Sequence, residues 1–314
     1  MSRALARPLD HLRQLLEMIR FSHTVFALPF ALLAASLAWA TPLPGGQPVG
    51  FSWRQLAGIL VCMVAGRSAA MAFNRLADRR IDAENPRTAG RHLPAGRLSV
   101  ASVAGFTLLM SIAFVAGTLL FLPNPWPLRL ATPFLAYLFG YSYAKRFTSL
   151  AHWWLGGALM LAPLGAWVAL RGEVVSAHPA DLMPAVWVGL AVMLWVSGFD
   201  IIYACQDAEF DRKAGLFSVP ARWGVAGALR IAAACHFLMV LVLAGLPEAA
   251  RAGGTPLPLG WIYYSAVAMV AVLLIYEHAI VRPDDLARVN IAFFQVNALV
   301  SMGLLLAVWI DLVV

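Results

Sequence analysis

Apolar runs close to membrane-spanning length recur along the whole chain. Nine of them, near 21–40, 55–77, 99–122, 128–144, 150–170, 183–203, 225–246, 259–281 and 288–312, are separated by short segments rich in Pro, Gly and charge. A helix needs roughly 20 mostly apolar residues to cross the hydrocarbon core of a bilayer. A transmembrane barrel would instead show alternating segments of about 10 residues, and the run from Leu28 to Ala40 has no such alternation. The expected fold is therefore all-α: a polytopic membrane protein, a bundle of nine transmembrane helices. A charged fraction of 12% and a mean hydropathy of +0.76 exclude a soluble enzyme, since soluble domains carry about 25% charged residues.

The charges are unevenly placed. Of 23 Lys and Arg residues, 17 fall at the N-terminus or in the loops after the second, fourth, sixth and eighth runs. Arg54, Arg129, Arg171 and Arg251 fall in the opposite loops, and Arg67 and Arg230 lie inside runs. Basic loops stay cytoplasmic, so the chain is expected in the inner (cytoplasmic) membrane with a cytoplasmic N-terminus. The same distribution accounts for the net charge of +7 without nucleic acid. Residues 1–20 place Leu9, Leu12, Leu16 and Ile19 at helical spacing among charges, as in an amphipathic helix on the cytoplasmic surface, ahead of a single transmembrane domain over 21–314. Cys62, Cys205 and Cys235 are far apart in apolar surroundings and read as packing residues. The connections 41–50 and 247–259 read as plain linkers on the outer side.

Two acidic clusters carry the chemistry. Asn74, Asp78 and Asp82 stand at i, i+4 and i+8, which puts three oxygen-bearing side chains on one helical face. Asp207 and Asp211 repeat the i, i+4 spacing, with Asp200 seven residues before Asp207. Stacked oxygen donors suit Mg²⁺, which binds through one or two carboxylates, waters and a substrate phosphate. Two such helices facing one another would hold two Mg²⁺ around one diphosphate. Ionisable residues inside a span usually mark function, whereas Glu84, Glu209, Arg79 and Arg80 read as solvated helix-end charges. Arg67, seven residues before Asn74, is either a buried partner of the acidic site or half of an interhelical pair. The loop 85–97 carries Arg87, Arg91 and Arg97 among Pro and Gly, and guanidinium groups match phosphate oxygens. Each cluster is followed by a basic residue, Ala-Gly and then Pro-Ala, a short internal echo. Tyr141-Ser-Tyr-Ala-Lys145-Arg146-Phe-Thr148 reads by itself as an interfacial aromatic and basic belt. The seven histidines, His23 and His92 among them, show no ligand spacing, and nucleophilic triads, dinucleotide-binding glycines and P-loops are absent.

In order and spacing, Asn74-x3-Asp78-x3-Asp82 and Asp207-x3-Asp211 resemble the two motifs of the UbiA superfamily of intramembrane aromatic prenyltransferases. The segments from Arg87 to Gly96 and from Tyr141 to Thr148 are similar to stretches of its 4-hydroxybenzoate polyprenyltransferases. Arg75 departs from the Asn-Asp start of many members. With Arg20-Phe-Ser-His-Thr and Phe26-Ala-Leu-Pro-Phe30, it is similar to the branch holding archaeal members and the menaquinone enzyme MqnP. The resemblance implies Mg²⁺ held by Asn74, Asp78, Asp82, Asp207 and Asp211, and a polyprenyl diphosphate neutralised with help from Lys145, Arg146, Arg91 and Arg87. It implies ionisation of the allylic C–O bond and attack on an electron-rich aromatic acid in quinone biosynthesis, with Asp200 polarising the acceptor and Arg20 binding its carboxylate. Membrane lipid is the expected surrounding, with no obligate protein partner. The competing readings are a naphthoate-like acceptor of the menaquinone pathway and, from another class, a secondary transporter, which would not need two aspartate repeats at one membrane face.

Overall fold

The computed structural model describes residues 2–19, 27–47 and 49–314. Among them there are only helices, connections and one isolated bridge between Arg282 and Asp285. In chain order the helices are α1 Ser2–Met18, α2 Leu28–Ala40, α3 Trp53–Glu84, α4 Val100–Thr118, α5 Trp126–Ala144, α6 Ala151–Ala177, α7 Met183–Ala204, α8 Ala208–Lys213, α9 Val219–Ala252, α10 Trp261–Ile280, α11 Val289–Ile291 and α12 Asn297–Asp311. Seven helical segments among the described residues have the length and apolarity to cross a membrane, and the chain is an integral membrane protein. The first expected run is represented by the 13 residues of α2, and the fourth by the 19 residues of the less apolar α5.

Local chemistry sets several boundaries. Ser52, Ser99 and Ser218 each accept a backbone N–H from three residues on, the N-cap bond that satisfies one orphan donor of a helix start. Helix α3 runs past the apolar stretch to Glu84, so Asn74, Asp78 and Asp82 lie on one unbroken helix. At 1.5 Å per residue, its 32 residues reach about 48 Å, well beyond a hydrocarbon core of about 30 Å. At the end of α7 the ladder tightens into a 3-10 turn, Cys205–Asp207, before α8 begins.

Helix α7 forms the centre, packed between α6 and α9. Its Trp195 is fully buried against Phe30 and Phe199, and its indole N–H donates to Asn297 Oδ1 at 2.6 Å. Close approach of α6 and α7 depends on Gly156: a Cβ there would lie 2.4 Å from the Met193 carbonyl oxygen and 2.7 Å from Ser197 Oγ. Such small residues let helix backbones meet where lipid provides no hydrophobic drive to associate.

One expected loop charge proves structural. Helix α6 reaches Ala177 across a kink at Arg171, which is buried there, its guanidinium donating to both Asp181 oxygens at 2.9 and 2.6 Å and to the Thr41 carbonyl at 2.7 Å. The ion pair accommodates the Arg171 charge inside the bundle at the kink where the apolar run ends. Gly156→Leu is expected to lower the thermal midpoint of the detergent-solubilised protein sharply, whereas Gly105→Ala, with nothing within 4 Å of the added methyl, leaves it unchanged. Circular dichroism melts of the two variants check this.

Candidate active site

The two acidic clusters face one another across a cavity of about 190 Å³. One wall is the end of α3, with Asn74, Asp78 and Asp82; the other is the end of α7 with α8, supplying Asp200, Asp207 and Asp211. The end of α5 contributes Tyr141, Ser142 and Lys145, and the loop after α3 folds back to add Asn85, Arg87, Thr88 and Arg91. The Phe217 amide donates to the Lys145 carbonyl at 2.7 Å, tying the segment before α9 to the end of α5. Asp78, Asp82 and Asp211 are buried and Asp207 is half-buried.

The first cluster and Asp207 are matched by cations. Asp78 accepts from Asn74 Nδ2 at 3.0 Å and Arg146 at 3.1 Å, with Lys145 Nζ at 3.7 Å. Asp82 accepts from Arg91 at 2.7 Å and Arg75 at 3.5 Å. Asp207 takes a two-pronged contact from Arg87 and a further bond from Asn85 Nδ2 at 3.0 Å, while the same guanidinium donates to the Tyr203 hydroxyl at 3.1 Å. Burial works against the Arg87 charge, but its bonds to Asp207 outweigh that and hold its pKa above the ordinary guanidinium value. Asp211 lies beside Ser218 in the cavity lining, and Asp200 Oδ2 is 2.7 Å from His152 Nδ1.

The donor set fits Mg²⁺. It consists of carboxylate and amide oxygens on two separate walls, with no preformed cage of three acids among the described residues. Mg²⁺ keeps several waters and binds through one or two carboxylates plus phosphate oxygens, so an open, two-walled set of hard donors suits it when the substrate brings the phosphates.

A second cavity, about 140 Å³, opens at Asn74 and Tyr141 and is otherwise almost wholly apolar. A third, about 90 Å³, shares Cys62, Met63, Phe114 and Phe134 with it. Together they line an apolar path leading inward from the acidic site. Arg67 stands in the wall of the second cavity, and no described carboxylate lies within 4 Å of it. It shares the helix face of Asn74 but sits two turns deeper, and among the described residues it forms no ion pair.

Lys145, Arg87 and Arg91 line the cavity, each already on an aspartate, whereas Arg146 is exposed outside the lining and meets the site only through Asp78. Arg97 does not: it donates to the Gly90 carbonyl at 2.5 Å and braces its own loop. Arg20 lies outside the described residues. Glu209 forms an exposed pair with Lys213, and Arg79 caps the Leu76 carbonyl. Four participants escaped the sequence reading: Asn85, Tyr141, Tyr203 and His152. Asn85 sits before a proline and reads as a turn, Tyr141 reads as an interfacial aromatic, and nothing marks Tyr203 between the two aspartates or a histidine at the start of an apolar helix.

Facing oxygen donors at the end of an apolar path give this membrane protein a two-part site, polar at one end and apolar behind it. Residues 27–299 match the UbiA prenyltransferase family, and the chain belongs to that family and is a prenyltransferase, which sets the transporter reading aside. Among relatives, a 4-hydroxybenzoate octaprenyltransferase of Vibrio campbellii (strain ATCC BAA-1116) is 30% identical over 288 residues, covering 88% of this chain and 92% of that one. Among solved structures, a UbiA homologue from Aeropyrum pernix K1 superposes with a TM-score of 0.77 at 33% identity, covering 92% of this chain and 98% of its own. A UbiA homologue from Archaeoglobus fulgidus bound to GPP and Mg²⁺ shares the fold, with a TM-score of 0.62 at 15% identity over 96% of this chain and 100% of that one.

Asp82 holds two guanidinium groups apart, and removing one partner of a buried pair typically costs about 3–5 kcal/mol. Asp82→Ala is therefore expected to lower the thermal midpoint in detergent more than Arg91→Ala, which leaves Asp82 paired with Arg75. Combining the two should recover part of the loss, as measured by a double-mutant cycle.

Proposed function

We propose that the chain transfers a polyprenyl group from its diphosphate to an aromatic acid of the 4-hydroxybenzoate type, in quinone biosynthesis. The observation that carries this is the junction of a polar cavity, lined by five carboxylates and four cations, with an apolar path. A polyprenyl diphosphate has the same two halves. The 4-hydroxybenzoate octaprenyltransferases at about 30% identity support the acceptor class.

Asn74, Asp78, Asp82, Asp207 and Asp211 would hold Mg²⁺, which when bound supplies positive charge to the diphosphate leaving group. Arg87, Arg91 and Lys145, with Arg146 behind Asp78, would pair with the remaining phosphate oxygens, offering fixed charge where it develops as the allylic C–O bond ionises. The apolar path receives the isoprenoid tail and excludes water that would quench the carbocation. Arg67, a cation without a described carboxylate, is placed to take the acceptor's carboxylate, a role also open to Arg20. Asp200 polarises the acceptor hydroxyl.

Residues 21–314 form one transmembrane unit of nine spans in this reading, including the two runs represented by α2 and α5. The 17 basic residues at the N-terminus and in alternate loops support a reading with the N-terminus, α1 and the diphosphate site on the cytoplasmic face of the inner membrane.

Purified membranes supplied with a polyprenyl diphosphate, Mg²⁺ and a panel of hydroxybenzoates and hydroxynaphthoates should yield a prenylated hydroxybenzoate, identified by mass. A naphthoate product alone would move the acceptor to the menaquinone pathway. Asp78→Ala and Asp207→Ala should each lower transfer by about a hundred- to a thousandfold, on the scale of lost electrostatic stabilisation, while eluting as folded protein in detergent. Full activity in either would overturn the two-walled site.

A further inference from the structure

His152 is buried at the start of α6 with both ring nitrogens engaged. The Val219 backbone N–H donates to Nε2 at 3.3 Å, so Nε2 is an acceptor and the ring's single proton sits on Nδ1. From there it is donated to Asp200 Oδ2 at 2.7 Å. A backbone amide only donates, so with this bond in place the imidazole presents Nδ1–H to Asp200, which accepts it. The Ser197 hydroxyl donates to the His152 carbonyl at 3.3 Å, in the same α6–α7 contact that needs Gly156. Asp200 lines the cavity, and its Oδ1 has no protein donor among the described residues.

We propose that His152 is the positioning residue that keeps Asp200 oriented as the base for ring alkylation, an inference that rests on the aromatic-acceptor reading above. As the ring's π pair forms the new C–C bond to the allylic carbon, the C–O bonding pair departs with the diphosphate. The acceptor's O–H proton passes to Asp200 Oδ1, leaving a neutral dienone. The ring C–H proton then leaves to the departing diphosphate, Asp200 returns its proton to the oxygen, and aromaticity is restored. Facing Asp200 across the cavity are Tyr141 and Lys145 from α5, Asp78 and Arg75 from α3, Arg91 from the loop, and Asp207 and Asp211 beyond the end of α7. Among these, only the acids accept protons as anions. Asp78, Asp82 and Asp207 are occupied by cations, and Asp211 belongs to the proposed metal wall.

The test compares His152→Ala, His152→Gln and Asp200→Asn in detergent, each first checked for Mg²⁺-dependent binding of an unreactive thiolo analogue of the donor. His152→Ala should lower kcat by about a hundredfold, the low end of general-base effects, with the donor KM within twofold of wild type. His152→Gln should recover most of that, because a carboxamide can accept from Val219 with its oxygen and donate to Asp200 with its nitrogen. Asp200→Asn should gain about tenfold in rate per pH unit below the acceptor's phenol pKa, where the substrate must ionise by itself. A ring-fluorinated acceptor with a more acidic phenol should rescue it more than it speeds the wild type. A His152→Ala enzyme with wild-type kcat, or an Asp200→Asn enzyme with the wild-type pH profile, would overturn the proposal while leaving the transferase reading intact. Failure of the wild type to prenylate any aromatic acid would overturn the reading beneath it.

Discussion

Four aspartates held at the end of an apolar bundle are the constraint around which the rest of the molecule is arranged. A carboxylate removed from water costs several kcal/mol unless it is paired and hydrogen-bonded. Asp78, Asp82 and Asp207 meet that cost with Arg146, Lys145, Arg91, Arg75 and Arg87, and those cations come from three separate parts of the chain. The basic loops are therefore more than topology signals: they hold the acidic walls in place. They also leave the site with both signs of charge at short range, which suits a ligand that is itself a metal–diphosphate composite.

The same arrangement explains why the site belongs in a membrane. Asn74 and Tyr141 line both the polar cavity and the apolar one behind it, so the boundary between hydrophilic and lipophilic space falls at a single turn of α3 and α5. In the proposed function, that boundary would orient a substrate with a charged head and an isoprenoid tail, with its reacting carbon at the junction of the two. The central α7 supports both halves. Its buried face carries Trp195 and Phe199, and its end carries Asp200 and leads into Asp207.

The helical faces of this site were legible in the sequence because their geometry is local. Asn74, Asp78 and Asp82 need only an unbroken helix to line up, and α3 supplies one. The second cluster was legible in its residues but not in its path, since the 3-10 turn at Cys205–Asp207 has no composition signal and is set by packing at the end of α7. The pairings were not legible at all. Arg87 and Asp207 are 120 residues apart, and an arginine in a Pro- and Gly-rich loop reads equally as a phosphate ligand, a topology charge or a brace such as Arg97. Arg171 and Arg67 show the same limit in the other direction. One, read as a loop charge, is a buried clamp on Asp181, and the other, read as an ion-pair partner, faces an apolar cavity. Neighbours from other helices decide such roles.

The central claim is that the two walls act as one Mg²⁺–diphosphate site, and binding tests it without depending on the acceptor. Calorimetric titration of the detergent-solubilised protein with an unreactive thiolo analogue of a polyprenyl diphosphate should show binding that requires Mg²⁺. It should be lost in Asp78→Asn and, separately, in Asp207→Asn. Binding that is indifferent to Mg²⁺, or that survives in either variant at wild-type affinity, would contradict the account.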